Sequence, residues 1–163
     1  MIRIALLDDE KDQREATAAL LERYLSQHPE LSAQVRPFQS GYELLDAVER
    51  SGNFDLYLLD IVMPEQNGIE VGLSLRKLDS LGLIVYLTTS PDYAVDSYLT
   101  NAFHYLLKPV RWEQMVSVLD RAMDILARRQ ELGVMVRTVQ NALPRYRRGF
   151  GREERRTFLQ GKR

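Results

Sequence analysis

Cysteine is absent from this 163-residue chain, which excludes disulfides and thiolate metal sites. No apolar run approaches the length needed to span a bilayer, so no membrane role is expected. The N-terminus, MIRIALLDDE, puts three acids directly behind a short apolar run, which is not the pattern of a secretory signal. With no export signal, the expected compartment is the cytoplasm. Histidine occurs only at His28 and His104. One precedes Pro29 at a predicted helix end and the other lies beside a short strand. Neither has the helical setting of a kinase phosphohistidine, so packing or surface roles are expected. No linker rich in Pro, Gly or Ser divides residues 1–127, and there is no internal repeat.

Net charge is also close to zero, at -1, but it hides an asymmetry. Residues 1–127 hold 11 Lys/Arg against 20 Asp/Glu, a net of -9. Residues 128–163 hold 11 against 3, a net of +8. An acidic globular domain joined to a basic arm near residue 128 is the expected organisation.

Within 1–127 short apolar runs alternate with amphipathic ones. Strands are predicted at Ile2–Leu7, Gln34–Phe38, Leu56–Leu59, Leu83–Leu87 and Tyr105–Leu107. Helices are predicted over 11–27, 41–49, 69–78 and 93–100, with a last one from about Arg111. The strands read as continuous apolar runs, the signature of a parallel sheet buried on both faces. Right-handed crossovers then give a doubly wound α/β sandwich.

In such sheets ligands sit beyond the carboxyl ends of the strands. Asp8, Asp9 and Glu10 follow the first strand, and Asp60 follows the third. Thr88, Thr89 and Ser90 follow the fourth, and Lys108–Pro109 follow the fifth. Clustered carboxylates repel unless a cation joins them, and oxygen-only ligands favour Mg²⁺. A lysine and a hydroxyl opposite them can grip an anion. The set suits a phosphoryl group, with one carboxylate as a nucleophile that forms an acyl phosphate. Each residue alone has a plainer reading. Asp8 or Asp9 can cap a helix, Thr88 can serve a turn, and Lys108 can lie in solvent. Four strand ends with complementary chemistry favour the site.

LLDDE (6–10), LLDIVMPEQNG (58–68), YLTTS (86–90) and YLLKP (105–109) together resemble the receiver domain of two-component response regulators, over residues 1–127. The resemblance implies a flavodoxin-like fold, with five parallel strands in the order 2-1-3-4-5 and five helices. It implies Asp60 as phosphoacceptor, with Asp8, Asp9, Asp60 and the Val62 backbone carbonyl around Mg²⁺. Thr88 and Lys108 would bind the phosphoryl group, Tyr105 would be the switch aromatic, and the Lys108–Pro109 peptide would be cis. It further implies a sensor histidine kinase as donor, a phosphorylation-dependent homodimer, and a switch that is not an enzyme in its own right. SPDYAVDSY (90–98) and AFHYLLKPV (102–110) are similar to receivers attached to LytTR-type DNA-binding domains, which implies transcription regulation.

The rest of the chain departs from that pattern. GVMVRTVQN (133–141) has β-type residues, like the first strand of a LytTR domain, but only 22 residues follow Asn141. Residues 128–163 are therefore expected to be a basic, partly disordered extension or the truncated start of such a domain. Arginines interleaved with Tyr146, Phe150 and Phe158 would allow nucleic-acid contact; a solvated tail without a partner is the alternative. One rival to the whole reading is a Mg²⁺-dependent phosphohydrolase with an aspartyl nucleophile. Those place D-x-D after the first strand, whereas this chain has Asp8-Asp9-Glu10 and leaves Asp60 unexplained. The other rival is a DNA-binding regulator acting through the tail.

Overall fold

The computed structural model describes residues 1–142. Residues 143–163, and with them the Arg-rich tail and its three aromatics, lie outside the described residues. Contacts divide the chain after Ala127 into two units, 1–127 and 128–163.

In the first unit five strands alternate with helices. The strands are β1 (Ile2–Leu7), β2 (Ala33–Phe38), β3 (Leu56–Asp60), β4 (Leu83–Thr88) and β5 (His104–Leu107). The helices are α1 (Lys11–Gln27), α2 (Gly41–Ser51), α3 (Gly68–Leu78), α4 (Ala94–Ser97) and α5 (Trp112–Ala142). All neighbouring strands are parallel, in the order β2-β1-β3-β4-β5. This is the doubly wound sheet expected, with the expected strand order.

The central strands explain themselves. Every residue of β3 and β4 is buried, so both faces need covering. On one face Ile4, Leu6, Leu58 and Val85 pack with Leu21 and Tyr24 of α1 and with Met115, Leu119 and Ala122 of α5. On the other, Leu7, Tyr57, Leu59 and Tyr86 pack with Leu44 and Val48 of α2 and Val71 and Leu75 of α3. Each such side chain contributes about 2 kcal/mol on burial. The result is a rigid sheet whose strand ends are fixed points.

Two elements differ from the expected pattern. β2 is an edge strand whose burial alternates before Pro37, because only the face carrying Ala33 and Val35 packs on the core; proline is tolerated on an edge. The predicted helix 93–100 is a four-residue α4 between two 3₁₀ turns, Pro91–Tyr93 and Tyr98–Thr100. Pro91 removes an amide donor at its start, and left-handed Asn101 (φ 50°) ends it.

In the second unit residues 128–142 continue helix α5, so the β-type residues 133–141 are helical. No strand among the described residues pairs with them, and a strand preference needs a pleated, half-buried surface to act on. Thr138 Oγ1 bonds back to the Val134 carbonyl at 3.0 Å, as a helix allows.

Candidate functional site

The sheet register assembles one edge. Leu7 pairs with Leu59, Asp60 with Leu87, and Thr88 with Leu107. The residues just beyond β1, β3, β4 and β5 therefore converge at the same end of the sheet. The Lys108 amide donates to the Thr88 carbonyl at 2.7 Å, extending β5 by one rung. The Lys108–Pro109 peptide is cis.

Asp8, Asp9 and Asp60 come together, each offering a carboxylate oxygen within 4.8 Å of the others. Lys108 closes the cluster. Its Nζ donates to Asp8 Oδ2 at 2.7 Å and lies 3.5 Å from Asp60 Oδ1. The side chains of Lys108, Asp8 and Asp60 are each at least nine-tenths buried. Burial pushes the Asp60 carboxyl up to about 6, with Asp8 and Asp9 adding and Lys108 opposing. Three acids and one base leave the cluster one or two charges short of neutrality, which a divalent cation would supply.

The helix-cap alternative for the first two acids is resolved residue by residue. The N-cap of α1 is Glu10, and its side chain makes no cap bond. Asp8 Oδ1 does accept the Glu10 amide at 3.0 Å, leaving Oδ2 for Lys108. Asp9 caps nothing: its Oδ1 is buried without a hydrogen-bond partner. A buried, orphaned carboxylate oxygen beside two further carboxylates fits a hard cation.

Thr88 is fully buried, and its Oγ1 accepts the Ser90 amide at 3.3 Å. Tyr105 is half-buried on β5, and its hydroxyl donates to the Ser90 carbonyl. Val62 follows Asp60 by two residues, with its side chain half exposed. His28 stacks on Tyr24, its Nδ1 lies 2.9 Å from the Tyr24 carbonyl oxygen, and His104 is on β5; neither belongs to the cluster.

Sequence reasoning missed several supports. Arg14 Nη1 holds the Asp8 carbonyl at 2.7 Å, fixing the loop after β1. Gly68 is where α3 meets the site. A Cβ there would stand 1.9 Å from the Asp60 carbonyl oxygen, so only glycine lets the chain pass. The D-to-G spacing was the available signal. A cavity of about 240 Å³ opens beside Asp9, lined in part by Ser40, Tyr42, Met63 and Gln66.

A parallel sheet that gathers three carboxylates, a buried hydroxyl and a lysine at one edge defines the receiver class of signalling domains. The chain belongs to the response regulator receiver domain family of two-component systems, whose sequence model matches residues 4–120. It is 30% identical over 145 residues to an uncharacterised response regulatory protein of Yersinia pestis, covering 88% of this chain and 58% of that protein. It is 28% identical over 121 residues to the sensory transduction protein LytT of Bacillus cereus, covering 74% and 47%. Among solved structures, a CheY-like receiver domain protein of Methanospirillum hungatei superposes with a TM-score of 0.68 at 24% identity, over 79% of this chain and 98% of that one. The chain spans about half the length of the curated relatives it matches. No helix among the described residues is long and apolar enough to cross a membrane.

Proposed function

We propose that the chain is a phosphorylation-driven switch, in which Asp60 accepts a phosphoryl group from a sensor histidine kinase with Mg²⁺ bound. The carrying observation is a buried Asp60 carboxylate flanked by Asp8, Asp9 and Lys108 at the end of a fully buried strand. Asp8, Asp9, Asp60 and the Val62 carbonyl would hold the ion, which neutralises charge building on the phosphoryl oxygens. An Asp60 oxygen attacks phosphorus, the P–N bond to the donor imidazole breaks, and an acyl phosphate remains on Asp60. With its carboxyl near 6, Asp60 is mostly ionised at neutral pH and ready to attack. Lys108 pairs with the phosphoryl oxygens. Thr88 gives up its local bond to donate to them, and Tyr105 follows by releasing Ser90.

The protein is on this reading a switch with at most a slow self-hydrolysis, and not a phosphate-ester hydrolase. Val95, Tyr98, Leu99 and Leu107 are exposed on α4, the following turn and β5. They form the output or homodimer face whose population shifts on phosphorylation. The likeness to LytT supports a role in transcription regulation; a gel shift across a salt series tests nucleic-acid contact by the basic extension.

The test of the acceptor uses acetyl phosphate with Mg²⁺, read by intact mass, and beryllofluoride, read by Trp112 fluorescence. Wild type gains one phosphoryl group and Asp60→Ala gains none. Equal labelling of both removes Asp60 from the role. Turnover of many equivalents of a phosphate ester replaces the switch with the hydrolase.

A further inference from the structure

The segment between β4 and β5 is fastened at one end. At its far end Arg76 of α3 donates Nε to the Thr100 carbonyl at 2.7 Å and Nη2 to the Asn101 carbonyl at 3.2 Å. The same guanidinium holds the Gly82 carbonyl at 2.7 Å and the Asp79 carbonyl at 3.3 Å. One side chain thus ties the turn before β5 to the end of α3 and the entry to β4. Thr100 is fully buried; its Oγ1 accepts from Tyr86 Oη at 2.8 Å and donates to the Ser97 carbonyl at 2.9 Å. The Phe103 amide bonds the Ile84 carbonyl at 2.7 Å.

The near end is different. No residue from Thr89 to Asp96 is buried. Its bonds are short-range, Ser90 N to Thr88 Oγ1 at 3.3 Å and Asp92 N to Ser90 Oγ at 3.2 Å. Its ties to β5 run through the Tyr105 hydroxyl, which donates to the Ser90 carbonyl and also bonds the Tyr93 backbone, with Tyr93 partly buried against the core.

We infer that Arg76 is a positioning residue of the switch, pinning the Thr100–Asn101 turn so that residues 89–96 swing about it when Thr88 and Tyr105 let go of Ser90. Without a fixed end, a change at Thr88 would spread along the whole segment, and residues 89–96 with the exposed Val95 would not move as a unit. A planar guanidinium with five donors can serve four carbonyls at once, whereas an ammonium cannot. The inference rests on the reading of Asp60 as phosphoacceptor.

The experiment is amide hydrogen exchange over residues 88–103 of the full chain, with and without beryllofluoride and Mg²⁺, in wild type, Arg76→Lys and Tyr105→Phe. Acetyl phosphate labelling by mass runs in parallel. In wild type, beryllofluoride changes exchange at 89–96 and leaves 101–103 as it was. In Arg76→Lys, 101–103 exchange about tenfold faster before any ligand, as the loss of one charge-assisted bond gives, and the ligand response reaches 103. Tyr105→Phe speeds 89–96 alone, and it keeps the test decisive if Arg76→Lys folds poorly. Normal labelling with a wild-type response spread evenly over 89–103, or a confined response in Arg76→Lys, overturns the pivot alone. Absence of any label on wild type overturns the Asp60 reading and the pivot with it.

Discussion

Replacing Asp60 by asparagine should stabilise the fold while abolishing its chemistry. The Asp60 carboxyl is raised from 3.8 to about 6, first by burial and then by Asp8 and Asp9 against the pull of Lys108. The folded state therefore binds this proton more readily than the unfolded chain does. Wild type loses stability as pH rises through the window from about 4 to 6, and the full penalty stands above it. Two units at about 1.4 kcal/mol each give about 3 kcal/mol. The Asp60→Asn variant would leave the 2.7 Å Lys108–Asp8 pair in place and remove only the contact at 3.5 Å. The raised value already includes the pull of Lys108, so the variant should be more stable by about 3 kcal/mol at about pH 7.5. Urea unfolding in the presence of a chelator measures this. The two proteins should converge only below about pH 3, where Asp60 is neutral in the folded state and largely so in the unfolded one. Excess Mg²⁺ should narrow the gap, because it binds native wild type more tightly than the variant. If Asp60→Asn is no more stable than wild type in chelator at about pH 7.5, the argument from a crowded, buried carboxylate is wrong.

Three other outcomes follow from the same geometry. Lys108→Met strands Asp8 and Asp60 without their cation, and should destabilise the metal-free protein by about 3 kcal/mol in urea, with Mg²⁺ recovering part of the loss. Gly72→Ala would place a Cβ 2.0 Å from Tyr86 Oη and should cost about 2 kcal/mol in thermal unfolding; adding Tyr86→Phe should return much of it, and full additivity would show that the hydroxyl is not the obstacle. Gly68→Ala drives a methyl into the Asp60 carbonyl oxygen, so Mg²⁺ affinity by calorimetry should fall about tenfold or more; unchanged affinity would show that the backbone there gives way freely.

The site was legible in the sequence because a parallel sheet turns a one-dimensional pattern into a place. Once β1, β3, β4 and β5 are read as adjacent strands, Asp8, Asp9, Asp60, Thr88 and Lys108 must meet. β3 and β4 were easy, being apolar over nearly their whole length and buried throughout. β2 and α4 were harder. An edge strand is apolar on alternate positions, and the helical stretch around α4 ends at Asn101, in a left-handed backbone that only the structure discloses. Arg76 could not be found this way, since the Asp79, Gly82, Thr100 and Asn101 groups it holds are backbone carbonyls and carry no sequence signal. Residues 133–141 misled for a related reason. Their β-type side chains state a preference, and the backbone at that point continues a helix begun at Trp112.

The Lys108–Asp8 ion pair joins residues 100 positions apart, and this has a bearing on synthesis. As the chain leaves the ribosome, Asp8, Asp9 and Asp60 emerge first and meet with no lysine among them. Repulsion holds that edge open until β5 arrives with Lys108 behind it. The acidic edge thus stays without its buried counter-charge until nearly the whole domain has been made. A chain stalled before residue 108 would lack both Lys108 and the α5 side chains that cover one face of the sheet, so neither the acidic edge nor the core would be complete.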